Sequence, residues 1–452
     1  MMQRRGVFDL LTRVLVGVGS CVGALLVGVA ALGAFPTLGK AQTDIYVRGS
    51  GRLFPVALPR LCVQGGDPSV AQQVPTVMAR DLDLSGYFQV LDPNTFIETP
   101  GKCGDQTSLA YSDWSVVGAE GLVRGIVSPT AAGVRVQLYL HDVQRRTVVL
   151  GKEYEGELAQ VPRMAHKFAN EIMRFFTGEA GVFGSQIAFT SRVGRFKDLF
   201  VMDMDGSNVR QLTDERALAV SSSWDPSGRK LVFTSYRNRI PDLFVVDTFS
   251  RGITQVTRGA ALELGAQFLP EGGGLLASRT VGGNSDLVEL GLDGAVLRTV
   301  LPARGTINVS PRFSPSGDRI VFCSNRAGGP QIYTMDRSGG DVKRVSFVNS
   351  NYCTSPAWSP KGDRLAFVCR ADAGFQLFTA GVDGSAPMQL TSGGDNEDPD
   401  WSPDGRYIVF ASTYGHRGSF GLSLMRSDGS NLRELTRSRG GDTEPTWGPL
   451  PQ

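Results

Sequence analysis

Three histidines, His141, His166 and His416, are the only imidazoles in the 452-residue chain, and no two are close in sequence. A His-rich metal site or a multi-imidazole catalytic centre is therefore not expected. A serine hydrolase needs an activated nucleophile, and no Gly-x-Ser-x-Gly elbow occurs. Asp203-Met-Asp-Gly206 and its equivalents supply carboxylates, but a calcium loop needs several more and a distal Glu at fixed spacing. Each of these Asp-Gly pairs joins two strand-like runs, where it reads as a turn. The expectation is no catalytic residue, no metal and no cofactor.

Cysteine chemistry is the exception. Cys353 begins one strand and Cys369 ends the next, and counting outward from the turn at residues 361–362 sets them almost opposite. A disulfide is expected there. Cys62 and Cys103, in loop-like stretches, are the candidates for a second. Cys323 is then left over as a buried strand thiol.

The compartment suits disulfides. Arg4, Arg5 and Arg13 precede a nearly unbroken apolar and small-residue run from Val14 to Phe35, followed by a short exit to Ala41. This is the layout of a secretory signal peptide, expected over residues 1–41. A retained membrane anchor and lipidation at Cys21 are the alternatives. Removing 1–41 takes away four basic residues and one acidic one, so the formal charge falls from +2 to about −1. No basic field for nucleic acid remains.

The elements that carry the chain are repeats. Trp224-Asp-Pro-Ser-Gly-Arg-Lys-Leu-Val-Phe-Thr-Ser235 recurs as Phe313 to Ser324, Trp358 to Cys369 and Trp401-Ser-Pro-Asp-Gly-Arg-Tyr-Ile-Val-Phe-Ala-Ser412. A degenerate copy spans Phe268 to Ser278, and Trp447-Gly-Pro449 is a truncated one. The repeat prolines fall at 226, 270, 315, 360, 403 and 449. Each unit reads as four short strands, a to d. Gly, at 56 of 452 residues, fits a chain rich in tight turns. Repeats of about 44 residues with four strands are propeller blades. Strands b, c and d occur six times and strand a five times between them. The sixth strand a, Thr443 to Trp447, must complete the first blade. The expected fold is thus a six-bladed all-β propeller closed by the C-terminal strand, over 184–452.

Residues 42–180 lack the repeat and read as an α/β domain. Strands are expected at Asp44–Val47, Leu53–Ala57, Leu122–Val127, Val134–Leu140 and Thr147–Leu150. Helices are expected at Pro68–Leu84, with Pro75 kinking it or delaying its start, and at Pro162–Phe176.

Binding is best sought at the loops leading into strand a and at the b–c loops beside them. The first set carries Glu263, Asn308, Asn351, Tyr352, Asn396, Glu397, Asp442 and Glu444, and the second includes Arg237 and Arg326. Mixed acidic and basic rings suit a salt-sensitive protein contact. The alternative is that these charges pair among themselves.

The Trp-Ser-Pro-Asp-Gly-Arg repeat, its Asp-Gly turn and its Gln-Leu-Thr strand resemble the TolB propeller repeat. A leader, an α/β domain and six such repeats in that order extend the resemblance over the mature chain. It implies a non-enzymatic periplasmic protein of the Tol–Pal envelope system. It also implies two partners: the peptidoglycan-associated lipoprotein Pal on the propeller, and TolA on the mature N-terminal segment, here Thr43, Asp44, Ile45, Tyr46 and Val47. That segment reads equally as an edge strand. A secreted propeller binding a glycan or small ligand in its channel is the competing function.

Overall fold

The computed structural model describes residues 52–97, 109–416, 418–436 and 441–450. The leader, Thr43–Val47 and Cys103 lie outside the described residues.

The N-terminal region is a mixed sheet with helices. Its elements are β1 (Phe54–Ala57), β2 (Cys62–Val63), α1 (Val70–Ser85), β3 (Phe88–Val90), α2 (Tyr111–Val116), β4 (Gly121–Thr130), β5 (Gly133–Asp142), β6 (Thr147–Gly156) and α3 (Val161–Thr177). The sheet order is β3-β1-β4-β5-β6, with β2 also on β4. In α1, Val70, Val74, Met78 and Leu82 are buried, and in α3 Met164, Phe168, Ile172 and Phe176. Each set recurs every four residues, so each helix has one apolar face, and the two faces share one core with the sheet. Trp114 of α2 packs in a second small core with Ala57 and Leu122.

Pro75 does not delay α1, which starts at Val70. A proline there removes the N–H that would bond the carbonyl of Ala71. The Leu61 N–H donates to that carbonyl instead, at 2.9 Å, so the helix continues. α1 ends at Gly86, where φ is +70°. An added Cβ would lie 2.7 Å from Asn431 Nδ2, so glycine suits both the left-handed backbone and this approach to the propeller.

The propeller has six four-stranded sheets. The first blade combines Thr443–Trp447 with Gln186–Val193, Phe196–Asp203 and Arg210–Gln211. Blades two to six open with strands a at Ala219–Trp224, Leu262–Phe268, Asn308–Phe313, Cys353–Trp358 and Asn396–Trp401. The closing strand pairs Trp447 with Ile187. The expected closure is present, and it removes a free inner edge.

The repeat aromatics sit between blades and stitch them. Trp224 Nε1 donates to the Thr446 carbonyl at 3.0 Å and Trp358 Nε1 to the Arg312 carbonyl at 3.1 Å, each across a blade seam, whereas Trp447 Nε1 donates to Ser185 Oγ at 2.8 Å at the entry to its own blade.

The two regions form a continuous core. Tyr407, Val409, Leu422 and Trp447 of the propeller join the cluster containing α1 and α3. Tyr407 Oη donates to the Ser85 carbonyl at 3.1 Å, and Arg406 donates to Thr177 Oγ1 at 2.7 Å.

Candidate protein-binding face and channel

Strand a of every blade carries a bulge at the same place. The pairing with strand b slips at each, and the first bulged residue has positive φ: Ser221, Gly265, Ser310, Ser355, Asp398 and Glu444. The next residue is Ser222, Ala266, Pro311, Pro356, Pro399 or Pro445. Proline is tolerated there because a bulge leaves the N–H out of the ladder. These bulges face the channel. Six of the strand-a bulge positions and their neighbours line a cavity of about 100 Å³, with Arg312, Asp398, Asp400 and Glu444 in its wall.

Most of the residues expected to bind a partner anchor their own loops. Asn308 is fully buried; its Nδ2 donates to the Ser285 carbonyl at 3.1 Å, and its Oδ1 accepts from Arg326 at 3.2 Å. Asn396 is buried and accepts from Ser412 Oγ at 2.8 Å. Asp442 is buried and accepts from Ser191 Oγ at 2.6 Å. Glu263 is buried 3.3 Å from Arg279 Nε, and burial pushes its carboxyl upward.

Arg237 is paired with buried Glu215 and lies over the Phe244 ring at 4.7 Å. Arg326 stacks on Phe322 and Tyr333 at 5.2 and 5.0 Å. Several charges of the face thus pair among themselves. Such stacked and bidentate arginines rigidify the loops that carry them. Asn351 and Tyr352 are exposed, Tyr352 standing edge-on to Phe375 at 5.7 Å.

Glu397 and Glu444 differ from that set. Glu397 is half-buried, and burial with Asp398, Asp395 and Glu444 nearby pushes its carboxyl up to about 7. Glu444 lies in the channel, accepting from the Ser221 N–H and from Thr190 Oγ1 at 3.3 Å. Burial and the Asp398 charge raise it too. Sequence reasoning passed over Arg312, Asp400 and Lys197. The signal was available, because Arg312 and Asp400 immediately precede the repeat aromatics.

At the other end of the channel a cavity of about 420 Å³ is lined by the six repeat aromatics and prolines. Five of the six rings leave little face open: Trp224, Phe268, Phe313, Trp401 and Trp447 are each at most 8% exposed, and Trp358 is partly buried.

The cysteines follow the expected register. Cys353 and Cys369 form a disulfide and Cys323 is a buried free thiol. Cys62 is disulfide-bonded. His141 bonds Tyr111 at 3.0 Å, and His166 Nδ1 lies 2.8 Å from Asp81 Oδ2 in a buried pair. Both imidazoles have structural partners.

Two family models match. The TolB beta propeller domain matches residues 173–451 and the TolB amino-terminal domain residues 45–149. The chain is 35% identical over 209 residues to a Tol-Pal system protein TolB of Syntrophotalea carbinolica, covering 46% of this chain and 48% of the relative. A protein of the same name from Anaeromyxobacter sp. strain K is 36% identical over 209 residues, with the same shares. The alignments span about half the length of these relatives. The crystal structure of TolB from Acinetobacter baumannii superposes with a TM-score of 0.76 at 24% identity, covering 88% of this chain and 97% of that one. That likeness concerns the fold.

Proposed function

Because the chain belongs to the TolB family, we propose that it is a non-enzymatic periplasmic scaffold of the Tol–Pal system, which docks a Pal-like lipoprotein on the propeller. The observation that carries this reading is the loop face itself. Its side chains are locked by buried anchors and stacked arginines around an acidic channel, and a preorganised surface binds a macromolecule with little ordering cost. In the same reading Thr43–Val47 engages a TolA-like protein by adding a strand to its sheet. The two contacts would couple the envelope layers and support outer-membrane integrity and constriction at division.

The competing reading, a glycan or small ligand in the channel, draws on the 420 Å³ cavity. Sugar stacking needs an open aromatic face, and these rings are largely covered by neighbouring blades. The test is capture of detergent-solubilised envelope proteins on the immobilised mature chain. Recovery of a Pal-like lipoprotein is expected, and its absence overturns the proposal.

A further inference from the structure

The 100 Å³ channel cavity is an unbalanced electrostatic site. Asp398, Asp400 and Glu444 line it with Arg312, and Glu397 stands beside Asp398 on the same strand. Among the described residues, none of the four carboxylates has a cationic group within ion-pair distance. Arg312 faces Asp398 and Asp400 at longer range, and Lys197 is the other cation near Glu397, Asp398 and Glu444. Lys197 Nζ is directed to Thr443 Oγ1 at 3.2 Å. Four carboxylates thus share two cations, neither in contact.

A second observation points to a missing occupant. Ser222 is 2% exposed and lines the same cavity, and its hydroxyl has no hydrogen-bond partner among the described residues. A buried hydroxyl left unpaired is unfavourable. The donors already present hold the carboxylates in place without neutralising them. Ser355 Oγ donates to Asp398 at 2.9 Å, the Glu444 N–H also donates to Asp398, and the Ser221 N–H donates to Glu444. Burial pushes all three channel carboxyls upward, the sign of charge that is desolvated but not compensated.

We infer that the channel receives one cationic side chain, a lysine ammonium or an arginine guanidinium, from the protein docked on this face, held by Asp398, Glu444 and Ser222. The cavity is well below the roughly 300 Å³ at which ordinary small-molecule pockets begin, and it suits the tip of a side chain. A donor-only cation also matches an all-acceptor wall. The inference rests on the docking function proposed above.

The site is separable from its partner by experiment. Saturation-transfer NMR on the intact mature chain would use methylguanidinium and, separately, methylammonium as probes. At least one should give a signal that Asp398→Asn and Glu444→Gln each abolish. Asn suits position 398 because it has nearly the same shape, keeps one acceptor oxygen and tolerates the left-handed φ of +50°. Melting temperatures no lower than that of the wild type establish that both variants fold, and Ser222→Ala supplies a third that leaves the carboxylates intact.

Affinity for the captured lipoprotein should fall on the order of tenfold or more in Asp398→Asn. No signal from either probe overturns the inference. So does calcium chloride binding that the variants abolish while both organic cations stay silent, because the site is then a metal site. Equal lipoprotein affinity in wild type and Asp398→Asn also overturns it. If the wild type captures no lipoprotein, the family-based function fails, while the probe titration still decides the site.

Discussion

Cys353 and Cys369 are bonded across strands a and b of the fifth blade in the register that sets Asn308 against Ser324 in the fourth and Asn396 against Ser412 in the sixth. The disulfide therefore replaces a polar anchor at the root of a loop. With the cysteines 16 positions apart in sequence, loop closure in the unfolded chain predicts a contribution of about 3 kcal/mol. Cys353→Ala with Cys369→Ala should lower the stability measured by urea unfolding by about that amount. Cys353→Asn with Cys369→Ser should recover about 1 kcal/mol by installing the hydrogen bond that Asn396 and Ser412 make in the sixth blade. Equal stability of the two double variants would show that the positions are not equivalent.

The closing strand depends on Trp447. Its side chain is buried, its Nε1 donates to Ser185, and its N–H donates to Asp400 Oδ2 at 2.7 Å. Trp447→Ala should cost about 3–5 kcal/mol, as for other large-to-small core changes. Leu450→Ala, three residues on and 42% exposed, should change stability by less than about 0.5 kcal/mol. Chemical denaturation of the two variants side by side checks this, and a Trp447→Ala protein as stable as the wild type would contradict the closure.

Glu397 makes stability depend on pH. Its folded carboxyl titrates at about 7, above the unfolded value of 4.5, so between those limits the folded chain holds more protons than the unfolded one. Stability therefore falls as pH rises through that window. After allowance for solvent screening at a half-buried site, the effect is on the order of 1–2 kcal/mol. Glu397→Gln should flatten this part of the profile and raise the melting temperature at pH 7.5. Asp398 and Glu444 are shifted in the same direction, so their own amide variants must be measured alongside. A wild-type profile rising from pH 5 to 7 and unchanged by Glu397→Gln would refute the assignment.

How far the sequence reached is explained by which forces are local. Turn chemistry is local, so the prolines from 226 to 449 and the glycines after them marked every blade, and counting from one turn placed Cys353 opposite Cys369. Strand Cys62–Val63, strand Phe88–Val90 and helix Tyr111–Val116 were not anticipated, because each is too short for a periodic pattern to develop. The rescue of the Ala71 carbonyl by Leu61 is a contact ten residues away and left no trace in the helix itself.

The binding face was legible in position but not in depth. Asn308, Asn396 and Asp442 were recognised as polar residues in a row. Their burial depends on Ser285, Gln376 and Ser191, partners on other strands whose proximity exists only after the sheets form. Polar residue type predicted exposure, and satisfied hydrogen bonds won instead. The channel carboxylates were hidden for a related reason, since only the ring brings Asp398, Glu444 and Ser222 to one place.

That the last inner strand lies in the first blade has a temporal meaning. Whatever delivers the polypeptide beginning with its amino end must bring Thr443–Trp447 before blade one can find its missing member. Until then Ile187 and its neighbours wait with an unfilled edge, the kind of surface that other chains adhere to. Assembly is thus tied to delivery of this one late strand, and a chain stalled before Thr443 would be a hazard to its neighbours rather than a slightly weaker scaffold.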